Sequence, residues 1–491
     1  MDRVQHETLL SHCRFASNTA FGRAHALGTV RSHADFCKRV PLRSYVDFEP
    51  YVARLQRGER DVLWPGVIPY LARSAGSSSQ SPKQLKMLPI SHQQIGWQRK
   101  QAFDVLARYL VMAGDRRFTA GYTLGLLQPP TIARRGAVGL TSNPRLMQLH
   151  VPKVARMLSL PRGAVRDIEA NEEKFRALAE AYLDYDVRAI AGTTCWFTVF
   201  FDRVLAAARA RGRSVSTVHE VWPNLRGLFG GGVHAGSYRS IIDARVGGKT
   251  VLVDTYNATE GGCFAITDRN GDESMLMLPD RGVFFEFIPR SELDRSAPTR
   301  LSLTMVEPHV EYAVAVSTAS GLFGYLMGDV VRFSSVFPHR LTFSGRVSGE
   351  ISIAHEMTTA RQIEDAVHAA AAQNDCTLVE FAASAELASE GSAVGRYMVF
   401  AEFERPPDDV ASLARDIDRG LCESNRLYRK HRAGDVGILP LTVIPLARGA
   451  AQRFADAAGR SGLQQKFPHI VGNAERELLR ALRRACAQGL D

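Results

Sequence analysis

The sequence predicts an α/β fold in which a large N-terminal domain with a βαβ sheet core, residues 1–348, is followed by a smaller α+β domain, residues 349–491. Three observations carry that prediction. Strand-like (225–229), helix-like (238–244) and again strand-like (250–255) patterns alternate in the middle of the chain, as parallel βαβ units do. Within the last of them Val251-Leu252-Val253 is too apolar for a half-exposed strand and reads as a central strand of a parallel sheet. After about Ser348 the pattern shortens to a helix (361–372), two strands (378–381 and 397–403) and a further helix (410–423), the signature of a separate compact unit.

The elements follow in order. Residues 4–26 read as helical, with Leu9, Leu10, Cys13 and Phe15 as an approximate apolar stripe. Pro41 to Tyr45 supplies a turn and a helix cap ahead of 48–55, and Trp64-Pro65-Gly66 closes that segment. The polar run 74–86 reads as a loop, the apolar run 103–113 as a short buried helix, and 165–183 as a longer helix.

Composition sets outer limits. A chain of 491 residues with 45% hydrophobic and 23% charged residues is a globular protein of at least two domains. Seven scattered cysteines without a CxxC pair argue against a disulfide framework and a zinc site, and fit a reducing cytoplasm. The net charge of +10 comes from arginines spread along the chain, not from a tract interleaved with aromatics. Anionic small ligands are therefore the expected partners, and nucleic acid is not. The start, MDRVQHETLL, lacks the form of a signal peptide, and no 18-residue apolar run occurs, so no membrane association is expected.

Four segments carry the chemistry. In VLVDTYNATEGG, 251–262, an apolar run breaks into Tyr256-Asn257-Ala258-Thr259-Glu260, which presents a carboxylate at a strand end, where ligands of such sheets bind. An ordinary strand with a polar turn would look the same. The run 74–86 gathers five hydroxyls, Gly76 and two lysines, Lys83 and Lys86. Freed backbone NH groups, the hydroxyls of Ser74, Ser77 and Ser78, and a lysine suit a polyphosphate, although a flexible surface loop has the same composition. It is not the GxxxxGK[ST] phosphate loop. Gly230-Gly231-Gly232 ends a strand and lets a flat ligand approach its backbone closely, or simply makes a tight connection. In the fourth segment Asp329 follows Gly328 in a β-rich run, with Arg346 further on. That carboxylate can accept hydrogen bonds from vicinal hydroxyls and the arginine can clamp a phosphate, unless the pair merely makes a hairpin turn.

In this order the segments resemble adenylate-forming enzymes, and specifically the acyl acid amido synthetases of the Gretchen Hagen family. The resemblance runs from Asn18-Thr19-Ala20-Phe21-Gly22-Arg23-Ala24-His25 through Val40-Pro41-Leu42-Arg43-Ser44-Tyr45, Glu49-Pro50-Tyr51-Val52, Gly58-Glu59, Tyr256 to Gly261 and Gly328-Asp329-Val330-Val331. It continues to Asn425-Arg426-Leu427-Tyr428 and Gln464-Gln465-Lys466-Phe467-Pro468. The length is similar to that of bacterial members.

The resemblance implies a two-step reaction with ATP and Mg2+: a carboxylic acid becomes an acyl adenylate with release of pyrophosphate, and an amine, such as an amino acid, then displaces AMP. It implies that Ser74, Gly76, Ser77, Ser78 and Lys86 hold the terminal phosphates. Thr259 and Glu260 would serve the α-phosphate and the metal, with Glu260 the metal ligand. Tyr256, Asn257, Gly231 and Gly232 would border the nucleotide, Asp329 would take the ribose hydroxyls, and Arg346 would close on ribose or phosphate. Lys466 would act catalytically from a mobile C-terminal domain, hinged between Gly345 and Glu356. Arg99, Thr193, Trp196, Phe197 and Tyr325 would bind the acyl acid, the aromatics favouring an aromatic or long apolar one.

The chain departs from the family pattern in the phosphate segment. The usual Ser-Ser-Gly-Thr-(Thr/Ser)-Ser-Gly is here Ser-Ala-Gly-Ser-Ser-Ser-Gln-Ser-Pro, so Gln80 stands where glycine is usual and Ser77 replaces threonine. Two alternatives stay open at this stage: transfer of the acyl group to the thiol of coenzyme A or of a carrier protein, and a degenerate protein that only binds nucleotide or acid.

Overall fold

The computed structural model describes residues 2–78, 81–126, 132–151, 153–168, 171–232, 236–272, 274–293, 295–347, 350–354, 356–388, 394–450, 453, 469–471 and 480. For 74–78, 81–85 and 345–346 it describes the backbone alone. The chain divides into two compact units, residues 1–74 with 86–347, and residues 75–85 with 348–491.

Helices α1 (Asp2–Ala16), α2 (Ala20–Ala24), α3 (His33–Arg39) and α4 (Tyr45–Gln56) open the chain, followed by β1 (Tyr70–Ser78), β2 (Ser81–Ile90) and the long α5 (His92–Ala113). Then come β3 (Tyr122–Gly125), β4 (Ala133–Arg135), β5 (Val138–Ser142), α6 (Asn143–Leu149), α7 (Lys153–Met157), β6 (Ser159–Leu160), α8 (Asn171–Tyr182) and β7 (Val187–Ala191). Next are α9 (Thr194–Ala210), α10 (Val218–Val221), β8 (Gly227–Phe229), α11 (Gly236–Val246) and β9 (Val251–Val253). The first unit ends with β10 (Thr255–Ala258), β11 (Gly262–Ile266), β12 (Met275–Met277), β13 (Val283–Pro289), β14 (Glu311–Thr318), β15 (Tyr325–Val336) and β16 (His339–Arg346).

The predicted βαβ core is present. Strands β6-β3-β7-β8-β9 form a five-stranded sheet, all of its neighbours parallel, with α9 and α11 as the crossovers β7-α9-β8 and β8-α11-β9. One expectation is corrected: Val251-Leu252-Val253 is the edge strand of this sheet, not a central one. Its burial comes from α5, whose Tyr109 packs in one cluster with Val253, Phe118 and Ala189, so a helix does the shielding that a neighbouring strand would have done. Immediately after Asp254 the chain enters a second sheet, β10-β11-β12-β16-β15-β14-β13, antiparallel throughout. This seven-stranded sheet carries the main core of the unit, in which Phe264, Phe285, Phe287, Phe323 and Tyr325 pack against Phe21, Phe36 and Phe48 of the N-terminal helices.

The run expected to be a loop at 74–86 is mostly strand: β1 and β2 are neighbours in the sheet β2-β1-β5-β4, and Ser79 and Gln80 lie outside the described residues. Ladder pairing overrides the weak strand propensity of serine and glycine. The predicted helix 103–113 extends back to His92, where Ser91 Oγ accepts the Gln94 N–H at 3.0 Å as an N-cap.

In the second unit β17 (Glu350–Ile351) pairs with β18 (Thr358–Thr359), followed by α12 (Ala360–Gln373), β19 (Thr377–Leu387), β20 (Gly395–Arg405), α13 (Val410–Ser424), α14 (Arg426–Arg432) and β21 (Ile438–Leu446). The sheet β19-β20-β21 is mixed and buries Phe381, Tyr397 and Val399 against Ile363, Leu413, Ile417 and Leu421 of α12 and α13. Asn425, singled out in the sequence, caps α14: its Oδ1 accepts from the Leu427 and Tyr428 N–H groups, both at 3.0 Å.

Candidate active site

The parallel sheet and the antiparallel sheet meet at Asp254, and the candidate residues cluster there. The Gly230 N–H donates to Val253 O at 2.9 Å, continuing the β8–β9 ladder one residue past β8. The Gly231 N–H donates to Thr194 Oγ1 at 3.0 Å and the Thr194 N–H returns to Gly231 O at 3.2 Å. Thr194 opens α9 and is fully buried, so the glycine strand end is pinned to a helix N-terminus. On the other side Thr255 Oγ1 donates to Gly230 O at 2.6 Å and accepts from Asn257 Nδ2 at 2.5 Å.

The glycines here have a steric reason. A Cβ on Gly230 would lie 2.3 Å from Thr194 Oγ1, and one on Gly231 would lie 2.8 Å from Thr255 Oγ1 and 2.9 Å from Thr255 O. Gly232, with φ of 84°, is exposed.

From Thr255 the chain runs up β10 and turns back into β11 through Thr259-Glu260-Gly261. Glu260 is 7% exposed and Thr259 is half-buried. The sequence reading of a carboxylate at the end of a buried parallel strand is thereby corrected in its setting: Glu260 belongs to a hairpin turn of the antiparallel sheet, one strand beyond β9. Gly262 has φ of 91°, a left-handed conformation that glycine adopts without penalty.

Tyr256, on β10, donates its hydroxyl to Asp329 Oδ2 at 2.7 Å, with both residues buried. Asp329 in turn stands opposite Arg346 in the β15–β16 register, and the Val347 N–H donates to Gly328 O at 2.8 Å. Two segments 73 residues apart in the sequence are joined by one short hydrogen bond. Tyr256 thus ties β10 to Asp329, which stands opposite Arg346, while Thr255 and Asn257 tie the same strand to Gly230 at the end of β8.

Other candidates stand differently. Lys466 lies outside the described residues, as do the side chains of Ser74, Ser77, Ser78 and Arg346; Gly76 is in β1 and Lys86 is half-buried on β2. Thr193 is the residue ahead of α9, and Trp196 and Phe197 of that helix are buried, Trp196 against Phe175 with ring centroids 5.7 Å apart. Tyr325 is 1% exposed and packs edge-on against Phe48 in the core, while its backbone bridges to Arg43. Arg99 is exposed on α5; burial first, and then its charge and that of His92, lower the pKa of His150. Burial pushes the Cys263 thiol far above its ordinary value, which keeps it protonated and unreactive at neutral pH.

Sequence reasoning missed two groups. One is Thr194, the buried first residue of α9. The other is the glutamines of α5, Gln94, Gln98 and Gln101, all three at most 2% exposed. Their spacing of four and three residues would have flagged them as one helix face.

The fold is similar to that of solved two-domain adenylate-forming enzymes. The acyl acid amido synthetase GH3.15 aligns over 98% of this chain and 93% of its own at a TM-score of 0.58 and 18% identity. A 2-hydroxyisobutyryl-CoA ligase in complex with its acyl-AMP and CoA aligns over 99% and 92% at a TM-score of 0.57 and 15% identity. Residues 1–128 match the model of the GH3 family N-terminal domain and residues 276–346 that of the GH3 family central domain. Indole-3-acetic acid-amido synthetase GH3.8 of Oryza sativa subsp. indica is 23% identical, covering 96% of this chain and 88% of its own. Jasmonoyl-L-amino acid synthetase JAR4 of Nicotiana attenuata is 27% identical over 54% of this chain and 47% of its own.

Proposed function

We propose that the protein is an ATP-dependent acid–amino acid ligase, which adenylates a carboxylic acid and passes the acyl group to an amine to form an amide. The observation that carries the reading is the Tyr256–Asp329 hydrogen bond, because it brings the two family motifs into one buried constellation beside the Gly230-Gly231 strand end. A carboxylate is a poor acyl donor because oxide is a poor leaving group. Exchange for AMP removes that obstacle, so the protein's task is to position the acid against the α-phosphate and to balance charge there. Positioning and charge stabilisation of this kind each contribute on the order of several kcal/mol.

In this reading the backbone of Gly231 and Gly232 and the ring of Tyr256 border the base. Asp329, oriented by the Tyr256 hydroxyl, accepts from the ribose hydroxyls, and Arg346 clamps the ribose or phosphate. Ser74, Gly76, Ser77, Ser78 and Lys86 hold the outgoing pyrophosphate. Thr259 and Glu260 offer a hydroxyl and a carboxylate at the α-phosphate. That all-oxygen donor set fits Mg2+, which takes one or two carboxylates with phosphates and waters, and Glu260 would hold it. When bound, Mg2+ supplies neutralisation of phosphate charge. Lys466, outside the described residues, is the basic residue that this reading assigns to catalysis. Arg99, Thr193, Trp196 and Phe197 receive the acid, whereas Tyr325 is packed in the core against Phe48. The site needs no membrane and no nucleic acid, and among the described residues no helix is long and apolar enough to cross a membrane. A cytoplasmic location is the setting in which ATP and amino acids are at hand.

Acceptance of the acyl group by coenzyme A is the second reading, supported by the near-equal TM-scores of the amido synthetase and the CoA ligase, 0.58 and 0.57. Acid-dependent exchange of labelled pyrophosphate into ATP, measured across a panel of carboxylic acids, tests the shared first step. At least one acid is expected to support exchange. If none does at high enzyme concentration, both ligase readings fall and a binding protein remains.

A further inference from the structure

Helix α5 covers the parallel sheet with apolar residues, but the face it turns toward the Glu260 hairpin is polar. Gln94 Nε2 donates to Gly261 O at 2.8 Å and Gln101 Nε2 donates to the same oxygen at 3.0 Å. Gln101 Oε1 accepts the Cys263 N–H at 2.9 Å, and its Nε2 also lies 3.3 Å from Arg281 O. The two glutamines therefore hold the exit of the turn that carries Glu260, one and three residues beyond it. The fit is close: a Cβ on Gly262 would lie 2.1 Å from Gln101 Oε1 and 2.8 Å from Gln98 Cγ. Gln98, between them, has both amide atoms buried without a partner among the described residues.

Leucines at these positions would bury the same face at lower cost, since a buried amide is favourable only when its hydrogen bonds are made. Three glutamines on one buried stripe thus need a reason beyond stability. The N-terminus of α5, just ahead of Gln94, is fixed as well: Ser91 Oγ donates to Ala319 O and the Ser91 N–H donates to Ser320 Oγ at 3.0 Å. An Asp104–Arg281 ion pair, Nη2 to Oδ1 2.9 Å, fixes the middle of the helix beside Gln101.

We infer that Gln101, assisted by Gln94, is a positioning residue that sets Glu260 for the adenylation step. The inference rests on the proposed function, and the contacts behind it are independent of it. The test replaces Gln101 by Met, which keeps the volume and removes donor and acceptor together, and replaces Gln94 by Met, which leaves Gly261 O one donor. Pyrophosphate exchange is normalised to the folded fraction, and amide hydrogen exchange is followed over residues 258–266. For Gln101→Met the turnover is expected to fall about 100-fold, as a misplacement of about 1 Å can cause, with the KM for ATP and for the acid changed by less than about threefold. Exchange at the Cys263 amide should quicken. Gln94→Met is expected to lose about a tenth as much. Unchanged turnover per folded molecule, or a loss that falls on KM alone, overturns the positioning role. Wild-type protein that supports no exchange with any acid overturns the functional reading and this role together. Unchanged protection at Cys263 in Gln101→Met overturns the clamp itself.

Discussion

Gly231→Ala probes the glycine strand end more sharply than any other single change. The new Cβ would meet Thr255 Oγ1 at 2.8 Å and Thr255 O at 2.9 Å, closer than Cβ atoms come in folded proteins. The hydroxyl has little freedom to turn away, because Gly230 O and Asn257 Nδ2 already hold it at 2.6 and 2.5 Å. The carbonyl belongs to β10 and cannot rotate. Gly231 itself is tied at both N–H and C=O to Thr194, so the strand end or β10 must shift by several tenths of an ångström. Overpacking of this kind costs about 1–3 kcal/mol. If that cost falls on the nucleotide-binding conformation, the Kd for ATP rises about 5- to 150-fold. Calorimetric titration with ATP, alongside a melting curve, measures both. Gly96→Ala is the control, since a Cβ at that helical position meets nothing within 4 Å. An ATP affinity within about twofold of wild type in Gly231→Ala would refute the assignment of this strand end to the nucleotide.

Three further outcomes follow from the same geometry. Glu260→Gln keeps the size of a 7%-exposed side chain and removes its charge, so pyrophosphate exchange should drop by more than about 100-fold with the melting temperature nearly unchanged; retained exchange removes Glu260 from the metal role. His33 sits 2.8 Å from the buried Glu286 Oε1, in a half-buried cluster with Cys37 and with Arg300, whose Nη2 is 2.7 Å from Glu286 Oε2. Burial alone would lower the His33 pKa, but its bonds to Cys37 and Glu286 push it up to about 9 from 6.5. The stabilisation, about 1–3 kcal/mol after discount for partial exposure, is fully present below pH 6.5 and lost as the pH rises through about 9. Urea melts of wild type and His33→Asn should therefore converge over that window. In the second unit Tyr397 OH lies 2.6 Å from Glu356 Oε1 and 2.9 Å from both Ile351 O and Thr358 Oγ1, so Tyr397→Phe should cost about 1.5–3 kcal/mol and lower the melting transition of that unit.

The fold was readable where one signal dominated. The apolar run at Val251 and the glycines after Phe229 announced a βαβ core because continuous apolar strands and close backbone approach leave few other solutions. The switch into the second sheet at Asp254 was hidden, because Thr255 and Tyr256 continue the strand pattern without a turn signal. The place of Val251–Val253 at an edge was equally hidden, since a helix and a strand shield an apolar residue alike. The serine run misled as a loop because its strands depend on pairing partners far away in sequence, which local propensity does not report. At the site, Tyr256, Asp329 and the glycines were legible from motif order. Thr194 and the α5 glutamines were not, because their roles depend on backbone groups more than 35 residues away.

The most direct test of the whole account is mass spectrometry of the products formed from ATP, a carboxylic acid that supports exchange, a mixture of amino acids and coenzyme A. The account predicts AMP together with an N-acyl amino acid. A CoA thioester as the only acyl product would contradict the amide-forming step while leaving adenylation intact, and ATP and acid both recovered unchanged would contradict the account at its root.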